Sequence, residues 1–350
     1  MTLGPLMVDL EGPELAAGER ELLRHPLVGS VILFSRNYRD PAQLKALVRE
    51  LHAVRTPSLV VAVDHEGGRI QRFRDGFSVL PSARRIGHEY DALAPRGREL
   101  AREMGWLMAA ELRAVGVDLS FAPCVDLDFG VSDVIGDRAF HARGAAVAEL
   151  AVAYMGGMRE AGMVATAKHF PGHGAVVADS HHDIAIDRRE RIDMDDDLRP
   201  YRLMIANGLA GVMMAHVIYP AEDAAPASAS EFWIRTILRE HLNFQGVVFA
   251  DDLSMKGAAA SGDILERAER ALAAGCDVLP VCNHRPSVET LLQSLKVRDD
   301  AASALRRIRL RGRTTFDAEA LQSLDRWQAA RRLLAEMQTP PALTLGAPRG

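Results

Sequence analysis

The chain has 350 residues, of which 48% are hydrophobic and 25% charged, and its formal net charge is -5 at pH 7. This ordinary globular balance supplies ample apolar material for a core. Acidic and basic residues are mixed along the chain, and no polybasic tract indicates binding to nucleic acid or to an anionic membrane. We therefore expect neither as a partner.

The compartment is predicted from the N-terminus and the cysteines. Asp9 and Glu11 interrupt the first short apolar run, and no basic segment precedes it, so a signal peptide is not expected. No apolar run approaches the ~18 residues that would span a bilayer. Cys124, Cys276 and Cys282 lie in apolar segments without a disulfide-type spacing. These features predict a soluble, cytoplasmic protein with reduced thiols, and we expect it to be a monomer.

One pattern repeats along the chain: a short apolar run, a polar tip, and then a longer segment with helical spacing. The predicted strands are Leu6–Leu10, Val28–Phe34, Leu59–Asp64, Val117–Val125, Val164–His169, Gly211–Val217, Val247–Asp251 and Asp277–Cys282. The predicted helices are Gln43–Arg55, Leu100–Val115, Ala145–Ala161, Asp196–Asn207, Glu231–Leu242, Ile264–Ala274 and Val288–Leu295. Continuous apolar strands that alternate with helices are typical of a parallel sheet covered on both faces.

Eight such units predict an α/β fold, a single closed (β/α)8 TIM-type barrel. The alternative is a doubly wound sheet, but the usual dinucleotide-binding motif of that fold is absent. Residues 300–337 are predicted to add helices that pack on the barrel, so that residues 1–337 form one catalytic domain. The last residues, 338–350, are predicted to be a flexible tail.

Polar groups follow nearly every predicted strand. They are Asp9, Arg36, Asn37, Asp64, Asp126, Asp128, Lys168, His169, His216, Asp251, Asp252 and Asn283. In a barrel the C-terminal ends of the strands converge on one face, where active sites are built. The sequence thus predicts one polar site at that face.

The segment from Lys168 to Asp183 carries four histidines. Zinc binding is disfavoured because Phe170, Pro171 and Gly172 break the helix that a ligand pair at this spacing would need. We therefore predict no metal and no cofactor. Acid–base chemistry is favoured, since Asp179 and His181 would point the same way in an extended loop, and a carboxylate raises the pKa of an imidazole beside it.

Three more segments carry candidate site residues. Asp251 ends an apolar strand and is a candidate nucleophile or base, whereas Asp252 is the better candidate for a helix N-cap. Asp64 and Arg72 follow the third strand and could accept from and donate to the vicinal hydroxyls of a sugar, although a mutual ion pair is an equal alternative. Arg138 carries little information by itself.

The sequence resembles the bacterial β-N-acetylglucosaminidases of glycoside hydrolase family 3, of the type that acts in peptidoglycan recycling. The resemblance covers about residues 5 to 300 and rests on blocks in the family's order. They are GSVILFSRNY (29–38), AVDHEGGRIQRF (62–73), VIGDRAF (134–140), KHFPGHG (168–174), DSHHD (179–183) and FADDLSM (249–255). Where the family often has Ser-Asp-Asp, this chain has Ala250 before the two aspartates.

The resemblance implies a retaining exo-acting glycosidase. Asp251 would be the nucleophile and His181 the general acid/base, with Asp179 as its partner. The residues that would hold the terminal N-acetylglucosamine are Asp64, Arg72, Arg138, Lys168 and His169. The implied substrate is a small molecule, the disaccharide GlcNAc–1,6-anhydroMurNAc with or without its peptide. A phosphorylase, a non-catalytic amino-sugar-binding module and a metal hydrolase are the alternatives.

Overall fold

The computed structural model describes residues 2–177, 185–297, 300–313 and 316–338. Eight parallel strands form its centre, and we number them in chain order. They are β1 (Leu6–Asp9), β2 (Val28–Leu33), β3 (Val60–Val63), β4 (Leu119–Ser120), β5 (Thr166–Phe170), β6 (Gly211–Met214), β7 (Val247–Phe249) and β8 (Leu279–Val281). Each lies within one of the eight predicted strands or overlaps it.

The strands pair in the order β8-β1-β2-β3-β4 and β5-β6-β7, all in parallel. Isolated parallel bridges connect the two sheets. Leu119 with Val164 and Cys124 with Lys168 connect β4 to β5, and Phe249 with Val278 connects β7 to β8. The eight strands therefore follow one another around a TIM-type barrel, as predicted.

Helices cover the outside of the barrel. Those of at least seven residues are Ala17–Leu23, Pro41–Ala53, Ala83–Ala92, Ala94–Ala114, Gly144–Glu160, Asp195–Ala206, Phe232–His241, Ile264–Ala274, Arg285–Ser294, Ala301–Ile308 and Asp325–Gln338. The shorter helical segments are Ser35–Asn37, Gly136–Arg138, Arg191–Met194, Ala227–Ala229, Lys256–Ser261 and Ala318–Gln322. Side-chain caps fix several starts; the Asp263 carboxylate, for example, accepts from the backbone N–H groups of Leu265 and Glu266.

The remaining strands are short and lie outside the barrel ring. They are His65–Gly67, Ile70–Gln71, Ala185–Ile186, Val217–Tyr219 and Asp223–Pro226. The first two form an antiparallel pair directly after β3. They hold Glu66 and the approach to Arg72 at the C-terminal end of the barrel. None of the helices within the described residues is long and apolar enough to cross a membrane.

All eight predicted strands are longer than the observed ones, and the difference is largest at residues 117–125. Residues 117–125 contain a regular strand only at Leu119–Ser120, because Pro123 has no N–H to donate to a ladder. The chain still runs alongside its neighbours, since Val125 N–H donates to the Lys168 carbonyl at 2.9 Å.

Alternating side chains of the strands form two buried layers. Met7, Ile32, Phe121, Met213 and Phe249 belong to the cluster that fills the barrel interior. The Phe121 and Phe249 rings meet edge to face with their centroids 5.2 Å apart. A packed interior closes the barrel below the site, which leaves the C-terminal mouth as the place where a ligand can enter.

The extra C-terminal helices pack on the barrel as predicted. Trp327 Nε1 donates to Glu111 at 3.0 Å, Arg331 donates to Ser78 Oγ at 3.0 Å, and Arg326 forms an ion pair with Glu103 at 2.9 Å. The predicted tail at residues 338–350 lies, apart from its first residue, outside the described residues.

Candidate active site

A pocket of about 280 Å³ opens at the C-terminal ends of the strands. Its lining comprises apolar side chains and a set of charged ones. The apolar part includes Ile32, Phe34, Phe121, Met213 and Met255, and the charged part consists of Asp64, Glu66, Arg72, Arg138, Lys168, His169, Asp251 and Asp252. Such a volume is near the lower end of the range for small-molecule sites.

The pocket brings together six residues that the sequence analysis selected from four separate segments. They are Asp64, Arg72, Arg138, Lys168, His169 and Asp251. The remaining two, Asp179 and His181, lie outside the described residues. Strand ends place four of the six, whereas the short helical turn Gly136–Arg138 presents Arg138 and the hairpin after β3 presents Arg72.

Lys168 lies at the centre of a buried ionic network. Its Nζ contacts Asp64 Oδ1 at 2.8 Å and also Glu66 Oε1, and its side chain is 2% exposed. Burial lowers the pKa of Lys168, but the carboxylates of Asp64 and Glu66 outweigh it and raise the pKa above the usual lysine value. Lys168 is therefore a fixed cation, which can donate hydrogen bonds but cannot serve as a base near neutral pH.

Glu66 is a site residue that the sequence analysis missed. Burial raises the pKa of Glu66, but Arg138 and Lys168 oppose this and lower it from 4.5 to about 2. Arg138 donates to both carboxylate oxygens, at 2.9 and 3.0 Å. The alternation of a strand could have revealed the residue, since Asp64 and Glu66 are two positions apart and lie on one side of an extended chain.

Asp251 and Asp252 differ in what their side chains touch. Asp252 Oδ1 accepts from the N–H groups of Ser254 and Cys282, and its Oδ2 accepts from Ser254 Oγ. Burial raises the pKa of Asp252 to about 6. Asp251 accepts from the Asp252 N–H at 2.8 Å and lies at the pocket surface, half-buried. Of the two carboxylates, Asp251 is the one better placed to meet a ligand.

The expectation that Asp252 caps a helix was wrong. The segment after it is a turn that leads into the short helical stretch Lys256–Ser261, and Asp252 binds within that turn and to Cys282 beyond β8. Its carboxylate thus ties the end of β7 to the end of β8. This contact between neighbouring strand ends holds the backbone of Asp251 in place.

Arg72 lies at the rim of the pocket. Its Nη2 is 3.7 Å from Asp64 Oδ2, and its guanidinium lies 5.7 Å from the centroid of the Phe34 ring. Both the interpretation as an ion pair and the interpretation as a sugar contact fit this position, because Asp64 and Arg72 remain partly exposed. Arg36 stacks on the same Phe34 ring at 4.6 Å and donates to Asn283 at 2.9 Å.

His169 makes a short contact with Asp126 beneath the pocket. Its Nδ1 lies 2.7 Å from Asp126 Oδ2, and Cys124 Sγ lies 3.4 Å from the same oxygen. Among the described residues, these three are the one group whose ligand atoms are close enough to hold a metal ion. A tetrahedral zinc ion would separate its nitrogen and oxygen ligands by about 3.3 Å. The observed 2.7 Å fits a shared proton better than a metal.

His216 lies buried near Asp251. Its Nδ1 is 2.7 Å from Ser228 Oγ, and its Nε2 is 3.0 Å from the Asp252 carbonyl oxygen. Because a carbonyl can only accept, Nε2 carries the proton and Nδ1 accepts from the hydroxyl. Burial lowers the pKa of His216, so the ring is neutral and supports the strand end without adding charge.

The chain matches the N-terminal domain of glycosyl hydrolase family 3 over residues 6–309. It is 53% identical over 345 residues to a beta-hexosaminidase of Thioalkalivibrio sulfidiphilus, covering 99% of both chains.

Two crystal structures of NagZ from Neisseria gonorrhoeae share the fold. The complex with N-trifluoroacetyl-D-glucosamine has a TM-score of 0.92 and 41% identity, covering 97% of this chain and 99% of that one. The complex with a zinc ion has a TM-score of 0.91 and 39% identity, with the same coverage. This chain therefore belongs to glycosyl hydrolase family 3, among its NagZ-type bacterial β-hexosaminidases, and is a glycoside hydrolase.

Proposed function

We propose that the chain is a retaining exo-β-N-acetylglucosaminidase that releases terminal β-linked N-acetylglucosamine from GlcNAc–1,6-anhydroMurNAc, with or without its peptide. This places it in peptidoglycan recycling as a cytoplasmic monomer. The observation that carries the proposal is the position of Asp251 in a small pocket with Asp64, Arg72 and Lys168. The relative with N-trifluoroacetyl-D-glucosamine bound adds support, since that ligand is an amino sugar.

The size of the pocket supports exo action. A cavity of about 280 Å³ with a packed apolar floor suits one sugar ring better than a run of several rings. Lys168 supplies donors and Asp64 supplies acceptors, a pairing that suits vicinal hydroxyls. The terminal sugar would be held by these groups together with Arg72, Arg138 and His169, and the rest of the substrate would extend past the rim.

The proposed reaction has two steps. In the first, an Asp251 carboxylate oxygen bonds to the anomeric carbon while the bond from that carbon to the leaving oxygen breaks. The leaving oxygen takes a proton from the acid/base. In the second, a water oxygen bonds to the anomeric carbon, the bond to Asp251 breaks, and the acid/base takes the proton of the water.

The acid/base assignment rests on the sequence, because the segment that carries it lies outside the described residues. We propose His181 for this role and Asp179 as the partner that raises its pKa. An imidazole with a usual pKa of ~6.5 can give and regain a proton near neutral pH. The buried carboxylates Glu66 and Asp252 are less suitable alternatives, since both are already hydrogen bonded.

Trapping the covalent intermediate tests the proposal. A 5-fluoro N-acetylglucosaminyl inhibitor should slow turnover of the glycosyl-enzyme, and peptide mass spectrometry should then locate the label on Asp251. Label on Asp252, or no label in an enzyme that still turns over aryl N-acetylglucosaminides, would contradict the assignment. The Asp252→Asn variant is the matched control, and it should still be labelled at Asp251.

A comparison of substrates tests the proposed substrate and the hydrolytic reaction. Release of N-acetylglucosamine from GlcNAc–1,6-anhydroMurNAc should be faster than release from chitin oligomers or β-glucosides. Running the same assay with added phosphate separates hydrolysis from phosphorolysis. A rate that climbs with phosphate, with sugar 1-phosphate as the product, would replace the hydrolase by a phosphorylase.

A further inference from the structure

Asp126 binds three N–H groups of a single six-residue segment, His169 to Gly174. Its Oδ2 accepts from the His169 backbone N–H at 3.1 Å and lies 2.7 Å from His169 Nδ1. Its Oδ1 accepts from the His173 backbone N–H at 2.7 Å. The carboxylate therefore holds both ends of the Phe170–Gly172 turn and the imidazole that lines the pocket.

The residues around Asp126 bury its carboxylate and leave little space between it and the segment. Its side chain is fully buried. A Cβ added at Gly174 would come within 1.8 Å of the Leu127 carbonyl oxygen, so the segment lies directly against the chain that follows Asp126. Burial raises the pKa of Asp126, but the contacts with His169 and His173 outweigh it and hold the pKa well below the usual range. Asp126 is thus an anion, which accepts hydrogen bonds and donates none.

This geometry determines which nitrogen of His169 can meet a ligand. Because Asp126 can only accept, Nδ1 must carry the proton that joins them. In a neutral imidazole Nε2 is then a bare acceptor. Lys168, its neighbour in the pocket, offers only donors. The adjacent pair therefore presents one donor and one acceptor, which suits a hydroxyl that both gives and receives a hydrogen bond.

We propose that Asp126 is a positioning residue that fixes the His169 tautomer, so that His169 Nε2 accepts a hydrogen bond from a hydroxyl of the bound sugar. This inference rests on the proposed function, because it takes the ligand to be the terminal N-acetylglucosamine. It extends the site by one residue that does not line the pocket. A metal between Asp126 and His169 is the competing interpretation, and it would replace the Nδ1 proton.

The wild-type enzyme provides the first test. With ¹⁵N-labelled histidine, the imidazole signals of His169 are assigned by their loss in His169→Gln. In the spectrum of the neutral ring, recorded at alkaline pH, we expect a proton on Nδ1 and none on Nε2. A proton on Nε2 alone would overturn the inference, as would an Nδ1 that gains its proton only after treatment with a chelator.

Asp126→Asn provides the second test. The asparagine amide has one acceptor oxygen, whereas the carboxylate has two. At least one N–H group of the segment would therefore lie against the amide NH2 group, which cannot accept its hydrogen bond. We expect KM for an aryl N-acetylglucosaminide to rise about tenfold, the amount that follows from one lost hydrogen bond. Cys124→Ala, which removes the Sγ contact with Asp126 Oδ2 but none of the N–H donors of the segment, should leave KM within about twofold.

A double-mutant cycle separates positioning from general damage. On a His169→Gln background, Asp126→Asn should raise KM by clearly less than the tenfold expected in the wild type. The imidazole through which it acts is gone, and only its contacts with the backbone N–H groups at positions 169 and 173 remain. An equal loss on both backgrounds would show that Asp126 acts without His169 and would overturn the inference. If the wild type cleaves no N-acetylglucosaminide, the proposed function fails, and the wild-type spectrum still decides the tautomer.

Discussion

Glu66 accepts two hydrogen bonds from the Arg138 guanidinium, at 2.9 and 3.0 Å, and the same carboxylate bonds to Lys168. All three side chains are less than 10% exposed. Two buried cations therefore share one buried anion, with Asp64 as the second acceptor for Lys168. The arrangement holds both cations at the pocket wall and cancels much of their charge.

Glu66→Gln should lower both stability and activity. It leaves Arg138 and Lys168 buried with one carboxylate fewer, and breaking such a network costs about 3–5 kcal/mol. We expect a loss of that size in the free energy of unfolding at pH 7 and at least a tenfold fall in kcat/KM for an aryl N-acetylglucosaminide. Glu336→Gln, which breaks an exposed pair with Arg96, should cost less than about 1 kcal/mol. Equal losses in the two variants would contradict the role of Glu66.

Asp251→Asn and Asp252→Asn should separate the two adjacent aspartates. Removing a nucleophile typically costs at least a thousandfold in kcat, so Asp251→Asn should be nearly inactive. In Asp252→Asn the amide can still accept from Ser254 and Cys282 and can donate to Ser254 Oγ, so we expect at least a tenth of the wild-type kcat. Steady-state kinetics checks both. If Asp252→Asn were nearly inactive and Asp251→Asn kept most of its kcat, Asp252 would be the nucleophile.

Comparison of the wild type with the same Asp252→Asn variant should show a pH-dependent contribution of Asp252 to stability. Folding raises the pKa of Asp252 from 3.8 to about 6, so the folded state binds the proton more tightly than the unfolded state. The stabilising effect is complete below about pH 4 and is lost as the pH rises through about 6. The unfolding free energy of the wild type relative to the variant should therefore fall over this window, by at most about 3 kcal/mol. Denaturant titrations at several pH values measure it, and a rise over the same window would contradict the assignment.

The pattern of apolar residues predicted the barrel strands well, because each strand is recognised from its own few consecutive residues. Each of the eight apolar runs contains or overlaps one observed strand, since a strand buried on both faces is apolar at every position. The exact ends were less predictable. Pro123 interrupts the ladder after β4, and the helix Ala83–Ala92 has too few buried residues to show a clear stripe.

The sequence predicted the site residues that directly follow an apolar strand. It missed residues whose hydrogen-bond partners lie far away along the chain. Glu66 and Arg138 are 72 positions apart, so nothing local links them. Asp126 stood out as a strand tip, but its contacts with His169 and His173 require the barrel to bring β4 and β5 together. Asp252 was misassigned because an acid after a strand is also typical of a helix cap.

Metal removal should leave the reaction unchanged. The 2.7 Å contact of His169 with Asp126 fits a proton, and burial holds the pKa of the Cys124 thiol well above its usual value, which disfavours the thiolate that zinc needs. We expect equal kcat/KM before and after dialysis against EDTA. A loss that added zinc restores would favour the metal hydrolase. Inhibition by added zinc would be compatible with the proposal, since zinc can occupy imidazoles without taking part in hydrolysis.

The acid/base role proposed for His181 predicts a dependence on the leaving group. A group that donates a proton to the leaving oxygen matters most when that oxygen is a poor leaving group. His181→Ala should therefore slow release of an alkyl or sugar alcohol at least a hundredfold, but slow release of an activated nitrophenol far less. Kinetics on a series of aryl and alkyl N-acetylglucosaminides measures this slope. His182→Ala, one position along, should retain the wild-type slope, whereas equal losses on all substrates in His181→Ala would indicate that His181 binds the sugar rather than donating the proton.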